Sequence, residues 1–202
     1  MVSQIRITAR DGTPLLLRPL VPQDERALRD AIESFSKRTR YLRFFTGAQT
    51  VPDHIIHRLA GVDGACHLAW AAIDESDGAG KIIGAVHAIR EDRDATSAEF
   101  AIGLVDQWHS KGISRLLIAL LASEALEAGI TNFTADVLWD NRPGRLLMKA
   151  LGATSNGSDV QSVGFRIKLE DTLATLRATK LGPAMDTVLG ALDAGSLVTD
   201  AA

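Results

Sequence analysis

One stretch of the chain carries residue types whose spacing could do chemistry: Ala98-Glu99-Phe100-Ala101-Ile102-Gly103-Leu104-Val105-Asp106-Gln107-Trp108-His109-Ser110-Lys111-Gly112-Ile113-Ser114. Its apolar first half predicts a buried strand, and its small and polar middle predicts a short loop. The periodic apolar residues that follow predict a long helix. The first-turn amides of such a helix have no intrahelical acceptor, and the helix dipole adds partial positive charge there. A phosphate or pyrophosphate fits that loop. Gly112 would let it approach the backbone, Lys111 would add a full charge, and Ser110 and Ser114 would add hydroxyl donors. The bland alternative is an ordinary strand–helix junction capped by Ser110. On the strand, a period of two puts Phe100, Ile102 and Leu104 on one face and Glu99, Ala101, Gly103 and Val105 on the other. A carboxylate thus shares a face with small residues, which predicts a shallow groove beside a proton acceptor. The alternative pairs Glu99 with Arg90 or Arg93.

Such residues need a scaffold to hold them. Ile5 and Ile7, the turn signal Asp11-Gly12 and Leu15-Leu16-Leu17 predict an opening hairpin that runs to Pro19. Pro22 with Asp24 and Glu25 starts a helix carrying Leu28, Ala31, Ile32 and Phe35. A second short helix is predicted at Tyr41, Leu42, Phe44 and Phe45, and a third from about Pro52 to Leu59. Strands follow at residues 67–73, 82–89 and 98–105. Residues 112–128 form the clearest helix, with Ile113, Leu116, Leu117, Leu120 and Leu121 as its apolar side and Gly129 as its stop. A strand over 133–138, a helix over 144–151 and a strand over 161–169 complete a mixed α/β sheet. Past Leu169, the residues Leu173, Leu176, Leu181, Met185, Val188, Leu189 and Leu192 suggest one or two amphipathic helices broken at Gly182-Pro183. These are expected to pack back on the domain, with a dimer arm as the alternative and fraying beyond Leu197.

Composition narrows the classes. The chain has 202 residues, of which 46% are hydrophobic and 23% charged, which predicts a globular protein with one main domain. A formal charge of −3 argues against a general nucleic-acid binder. The single cysteine, Cys66, excludes an internal disulfide framework and a Cys-rich zinc module. His54, His57 and His87 have no metal-ligand spacing, so no metal is expected. The first ten residues lack an apolar signal core, and the longest apolar stretch, residues 116–122, is short for a membrane span. No membrane association is expected, and a cytoplasmic location is. Lys37, Arg38, Arg40 and Arg43 read as a solvated helix face over packed aromatic residues, and Trp70, Trp108 and Trp139 as core or rim packing.

The run His109-Ser110-Lys111-Gly112-Ile113-Ser114 resembles the coenzyme motif of the GNAT family of acetyl-CoA-dependent N-acetyltransferases, Gln/Arg-x-x-Gly-x-Gly/Ala. It departs from that motif at His109 and Ser114. Val137-Leu138-Trp139-Asp140-Asn141-Arg142, then Leu146-Leu147 and Leu151-Gly152-Ala153, resemble the second family block. Leu17-Arg18-Pro19-Leu20, Asp24, Ser36 and Tyr41-Leu42-Arg43-Phe44-Phe45 look most like the bacterial protein-lysine acetyltransferases that modify acyl-CoA synthetases. The resemblance implies a GNAT fold over residues 1–170, with a C-terminal helical extension at 171–202. It implies that the backbone of Ile102, Gly103 and Leu104 holds the pantetheine of acetyl-CoA and polarises the thioester. The backbone of His109, Ser110, Lys111, Gly112, Ile113 and Ser114 would hold the pyrophosphate. Asn141 would anchor the coenzyme, or cap the helix that follows it, or both.

Glu99 matches the strand glutamate that acts as general base in the lysine-acetylating branch of that family. A lysine amine, with a pKa of about 10.4, must lose a proton before it attacks a thioester. Glu99 would lie roughly 10–16 Å from the acetyl position along the strand, which implies a bridging water. Met148 stands where many relatives carry the tyrosine that protonates the leaving thiolate. The implied partners are acetyl-CoA and an amine acceptor, a protein lysine first, with a homodimer as an open alternative. The competing functions are a GNAT-fold module that binds coenzyme A for a regulatory or structural role, and an acetyltransferase for a small-molecule amine.

Overall fold

The computed structural model describes residues 4–194. The chain opens with strands β1 (Ile5–Thr8) and β2 (Pro14–Pro19), and a 3-10 turn at Pro22–Asp24 leads into helix α1 (Glu25–Glu33). Helices α2 (Lys37–Phe44) and α3 (Asp53–Ala60) precede strands β3 (His67–Asp74), β4 (Lys81–Ile89) and β5 (Ser97–Leu104). Helix α4 (Ile113–Glu127), strand β6 (Asn132–Leu138), helix α5 (Arg142–Ala150) and strands β7 (Thr154–Ser158) and β8 (Ser162–Lys168) follow. Helices α6 (Leu169–Ala178) and α7 (Pro183–Asp193) close the described chain. β7 has no sequence signal. Its residues, Thr154-Ser155-Asn156-Gly157-Ser158, are all exposed, so no apolar alternation marks them. The fraying expected beyond Leu197 lies outside the described residues.

The strands form one sheet in the order β1-β2-β3-β4-β5-β6-β8-β7. Every neighbouring pair is antiparallel except β5 with β6. β3 and β4 are buried almost end to end because helices cover both faces of the sheet. On one face, Leu28 and Ile32 of α1, Phe35 just after it, and Ile56 and Leu59 of α3 pack on Ala69, Ala71 and Ala85. On the other, α4 lies over β3 and β4 while α6 and α7 pack against α4. For this reason Ile118, Ala119 and Ala122 are buried along with the predicted apolar side of α4. The C-terminal helices do pack back on the domain, with Leu176, Met185 and Val188 buried in the same core as α4.

The start of α1 is pinned to β2. Arg18 grips Asp24 through two bonds of 2.7 Å, and the Val21 amide donates to the same carboxylate at 2.9 Å. Burial alone would raise the Asp24 pKa, but these donors hold it below the ordinary carboxylate range.

Candidate active site

The parallel pairing of β5 with β6 is brief: Ser97 with Asn132, Ala98 with Phe133 and Glu99 with Thr134. Beyond Glu99 the strands part. β5 stays with β4 as far as Leu104, and β6 stays with β8 as far as Leu138. Phe100 stacks on Phe133 at 5.4 Å and fills the apex of this split.

The register decides which backbone groups line the split. Val105 donates to Ile83 of β4 at 2.8 Å, so the alternation of an antiparallel ladder turns Gly103 and Ala101 toward β4 as well. Ile102 and Leu104 face the other way, into the split. Gly103 therefore departs from the expectation for it, since its amide and carbonyl belong to the ladder opposite Ala85. The Leu104 carbonyl accepts a bond from His109 Nε2 at 2.9 Å, so that nitrogen carries the proton. The Ile102 amide and carbonyl and the Leu104 amide remain presented to the split.

At the mouth of the split, the chain turns into α4. Ser110 (φ +62°) and Gly112 (φ +87°) both sit in the left-handed region on either side of Lys111. Alternation of this kind curls successive amides toward one side, the backbone arrangement that suits an anion. The amides of Ser110, Lys111, Gly112, Ile113 and Ser114 have no acceptor among the described residues. The N-cap is Gly112, with no side-chain cap, so Ser110 does not cap the helix. Lys111 departs from its expected role. Its ammonium lies 2.6 Å from Asp11 and 4.3 Å from the centre of the Trp108 ring, so Asp11 already neutralises its charge. The same contact, with help from Thr13, lowers the Asp11 pKa to about 2.

On the far arm, Asn141 caps α5 by accepting the Gly144 amide at 2.9 Å. Gly144 is required there, since a Cβ would stand 2.6 Å from Asn141 Nδ2. That amide nitrogen keeps its protons without a partner among the described residues. Met148 is buried in the core.

The opposite face of β5 carries Glu99, which is exposed and is the last residue paired with β6. The alternative pairing with Arg90 does not form: Arg90 donates to the carbonyls of Ala65, Ala95 and Ala128. The groove expected over Ala101 and Gly103 is roofed. Phe35 Cζ lies 3.0 Å, and Arg43 Cδ 3.7 Å, from where a Gly103 Cβ would stand. A cavity of about 20 Å³ remains, bounded by Phe35, Arg43, Phe44, Gly84, His87 and Gly103 among others.

α2 spans the split and is tied to both arms. Asp106, just after β5, accepts the Ser36 hydroxyl at 2.6 Å, the Ser36 amide at 2.9 Å and the Thr39 hydroxyl at 2.8 Å. Arg38 reaches the Asp140 carboxylate at 2.7 Å and its carbonyl at 2.9 Å, just after β6. The basic residues of α2 are thus not a simple solvated face. Arg38 is a tether, and Arg43 turns in over β5. Beneath Arg43, His87 Nδ1 meets His67 Nε2 at 3.0 Å, and His67 Nδ1 meets the Gly61 carbonyl at 3.3 Å. A carbonyl only accepts, so His67 carries its proton on Nδ1 and His87 donates from its own Nδ1. Burial, then Arg43, then His67 push the His87 pKa well below its usual value, so that ring is neutral.

The Asp106 tethers, the histidine pair and the inward turn of Arg43 escaped the sequence reading. Ser36, with Thr39 three residues on, was the only local signal, that of a helix N-cap. No helix among the described residues is long and apolar enough to cross a membrane.

The acetyltransferase (GNAT) domain family matches residues 14–154. Acetyltransferase Pat of Mycolicibacterium smegmatis is 34% identical over 154 residues, which is 75% of this chain and 45% of Pat. The chain therefore spans less than half the length of that curated relative. Among solved structures, the GNAT domain of S. lividans PAT aligns with a TM-score of 0.75 and 25% identity, covering 82% of this chain and 96% of that one. A mutant of a cAMP-binding acyltransferase from Mycobacterium smegmatis aligns at 0.58 and 26%, covering 95% of this chain and 57% of that one. A parallel strand pair that opens onto a helix with free amides, found in a chain with these relatives, has one reading: the protein belongs to the GNAT acetyltransferase family.

Proposed function

We propose that this chain transfers the acetyl group of acetyl-CoA directly to a primary amine, with a protein lysine as the acceptor class. The observation that carries this reading is the split beyond Glu99, which ends at the free amides of residues 110–114. Those amides, with the amide of His109 already bonded to Asp106, would hold the pyrophosphate at Ser110, Lys111, Gly112, Ile113 and Ser114. The pantetheine would run along β5 and complete the ladder at Ile102 and Leu104, where a free amide can donate to the thioester oxygen. Asn141 Nδ2 would anchor the coenzyme on the β6 arm. His109 stands where the family motif has Gln or Arg, and its ring is already bonded to Leu104.

In the reaction, the neutral amine attacks the thioester carbonyl carbon, the carbon–sulfur bond breaks, and the coenzyme leaves as a thiolate. The amine proton passes through water to Glu99, which lies about 10 Å from Ile102 along the strand, and then to solvent. The thiolate takes its proton from solvent, since Met148 supplies none; a thiol of pKa about 8.5 leaves without a strong acid. No covalent enzyme intermediate is needed.

The test is to incubate the purified chain with acetyl-CoA and a lysine peptide and to follow free thiol. Transfer should occur, and Glu99→Gln should lower kcat by about 10²–10³-fold with acetyl-CoA affinity unchanged. Full activity in Glu99→Gln would remove Glu99 as the base. Tight coenzyme binding by calorimetry without turnover on any amine would favour a binding module instead.

A further inference from the structure

Arg43 is a cation without an obvious reason to be where it is. It sits in the last turn of α2, with its Cζ 5.0 Å from the centre of the Phe44 ring, and it borders the small cavity with Phe35, His87 and Gly103. A guanidinium has five donor hydrogens, yet none of those of Arg43 finds an acceptor among the described residues. A structural arginine would be expected to hold a carboxylate or carbonyls, as Arg18 and Arg90 do here.

The groups that face it are few. On its own helix, Arg38 is tied to Asp140 and Arg40 donates to the carbonyls of Glu33 and Phe35, while Lys37 lies at the helix start. β4 contributes His87, with His67 of β3 behind it, and both rings are charged only at acidic pH. β5 contributes Glu99, and the loop after it contributes Asp106, already bonded to Ser36 and Thr39. α1 and α3 present only apolar side chains to the cavity, Leu28, Ala31, Ile32 and Leu59.

We propose that Arg43 is the fixed positive charge of the acceptor side, which makes the site admit the acceptor amine in its deprotonated form. This rests on the acetyl-transfer reading above. Charges interact far more strongly among packed side chains than in water, so an ammonium brought beside Arg43 is repelled and a neutral amine is not. Burial lowers the Arg43 pKa to about 10, while Glu99 opposes the shift, so Arg43 keeps its proton throughout the neutral range. It neither gains nor loses a proton in the reaction. The proton moves from the amine through water to Glu99.

The experiment is the pH dependence of kcat at saturating acetyl-CoA and lysine peptide, which reports groups in the ternary complex. It is run on the parent, Arg43→Lys and Arg43→Gln. In Arg43→Gln the rising limb should move to higher pH by about one unit, a loss of about tenfold at neutrality that closes at alkaline pH. Arg43→Lys should keep the parental profile. A peptide whose lysine is replaced by the less basic S-aminoethylcysteine should recover most of the loss in Arg43→Gln and gain little in the parent. An equal loss at every pH, or a shift in Arg43→Lys as large as in Arg43→Gln, overturns the proposal. Should Arg43→Gln fail to fold, the parent decides alone. Its limb should lie below the free amine value of about 10.4 and move little with acceptor basicity, and a limb that tracks the free amine overturns the proposal. Absence of any transfer by the parent refutes the acetyltransferase reading itself, whereas transfer with an unshifted profile refutes only the role of Arg43.

Discussion

Gly112 occupies a backbone conformation, φ +87°, that L side chains rarely adopt, and nothing stands within 4 Å of where its Cβ would be. Space is therefore not the obstacle to a side chain there; backbone strain is. Gly112→Ala should destabilise the fold by about 1 kcal/mol and rotate the neighbouring amides out of their shared orientation. Titration calorimetry should show acetyl-CoA binding about tenfold weaker, while kcat at saturation falls little. Ser110 adopts the same conformation with a side chain present, so Ser110→Gly should leave affinity within about twofold. Residues of this kind were readable in the sequence. Glu99 stood out because a carboxylate breaks an apolar period of two, and Gly112 because it sits between a strand and a helix. Lys111 and Arg43 were not readable. A long cation takes whichever partner the fold brings to it, and Asp11, a hundred positions away from Lys111, leaves no local periodic trace.

Among the elements, α2 is the least self-sufficient. It is short, none of its residues is fully buried, and a helix of this length does not stand alone in water. Its place across the split depends on Asp106 and Asp140. Asp106→Ala removes the acceptor of three donors at once and should raise KM for the lysine peptide about five- to tenfold, with acetyl-CoA affinity within about twofold. Steady-state kinetics with each substrate varied in turn would check this split. Burial raises the Asp106 pKa, but the Ser36 and Thr39 donors outweigh it and the net value is lowered. The sign follows from linkage: the contribution is complete above the ordinary carboxylate value of about 3.9 and is lost as pH falls through the lower folded value. Most elements were legible because helical and strand periods separate clearly, α4 and β5 above all. β7 was not, because a polar edge strand shows no contrast between its faces. The true extent of α4's burial was also hidden, since it depends on helices that arrive some fifty residues later in the chain.

At the scale of the whole molecule, α6 and α7 complete the core. Val188 of α7 is fully buried in the same cluster as Leu117 and Leu121. Val188→Asp places an unpaired carboxylate in that cluster and should lower stability by about 3 kcal/mol or more, read as a fall in the urea midpoint. The same arrangement leaves the eight-stranded sheet with an uneven seam. Within the sheet, its two leaves pair at three residues and one aromatic stack, and beyond Glu99 they part. A coenzyme lying between them, as proposed above, would supply the missing rungs. On the proposed reading, the join that the sheet leaves only partly made is also the one that receives the coenzyme, so each turnover would mend and reopen it.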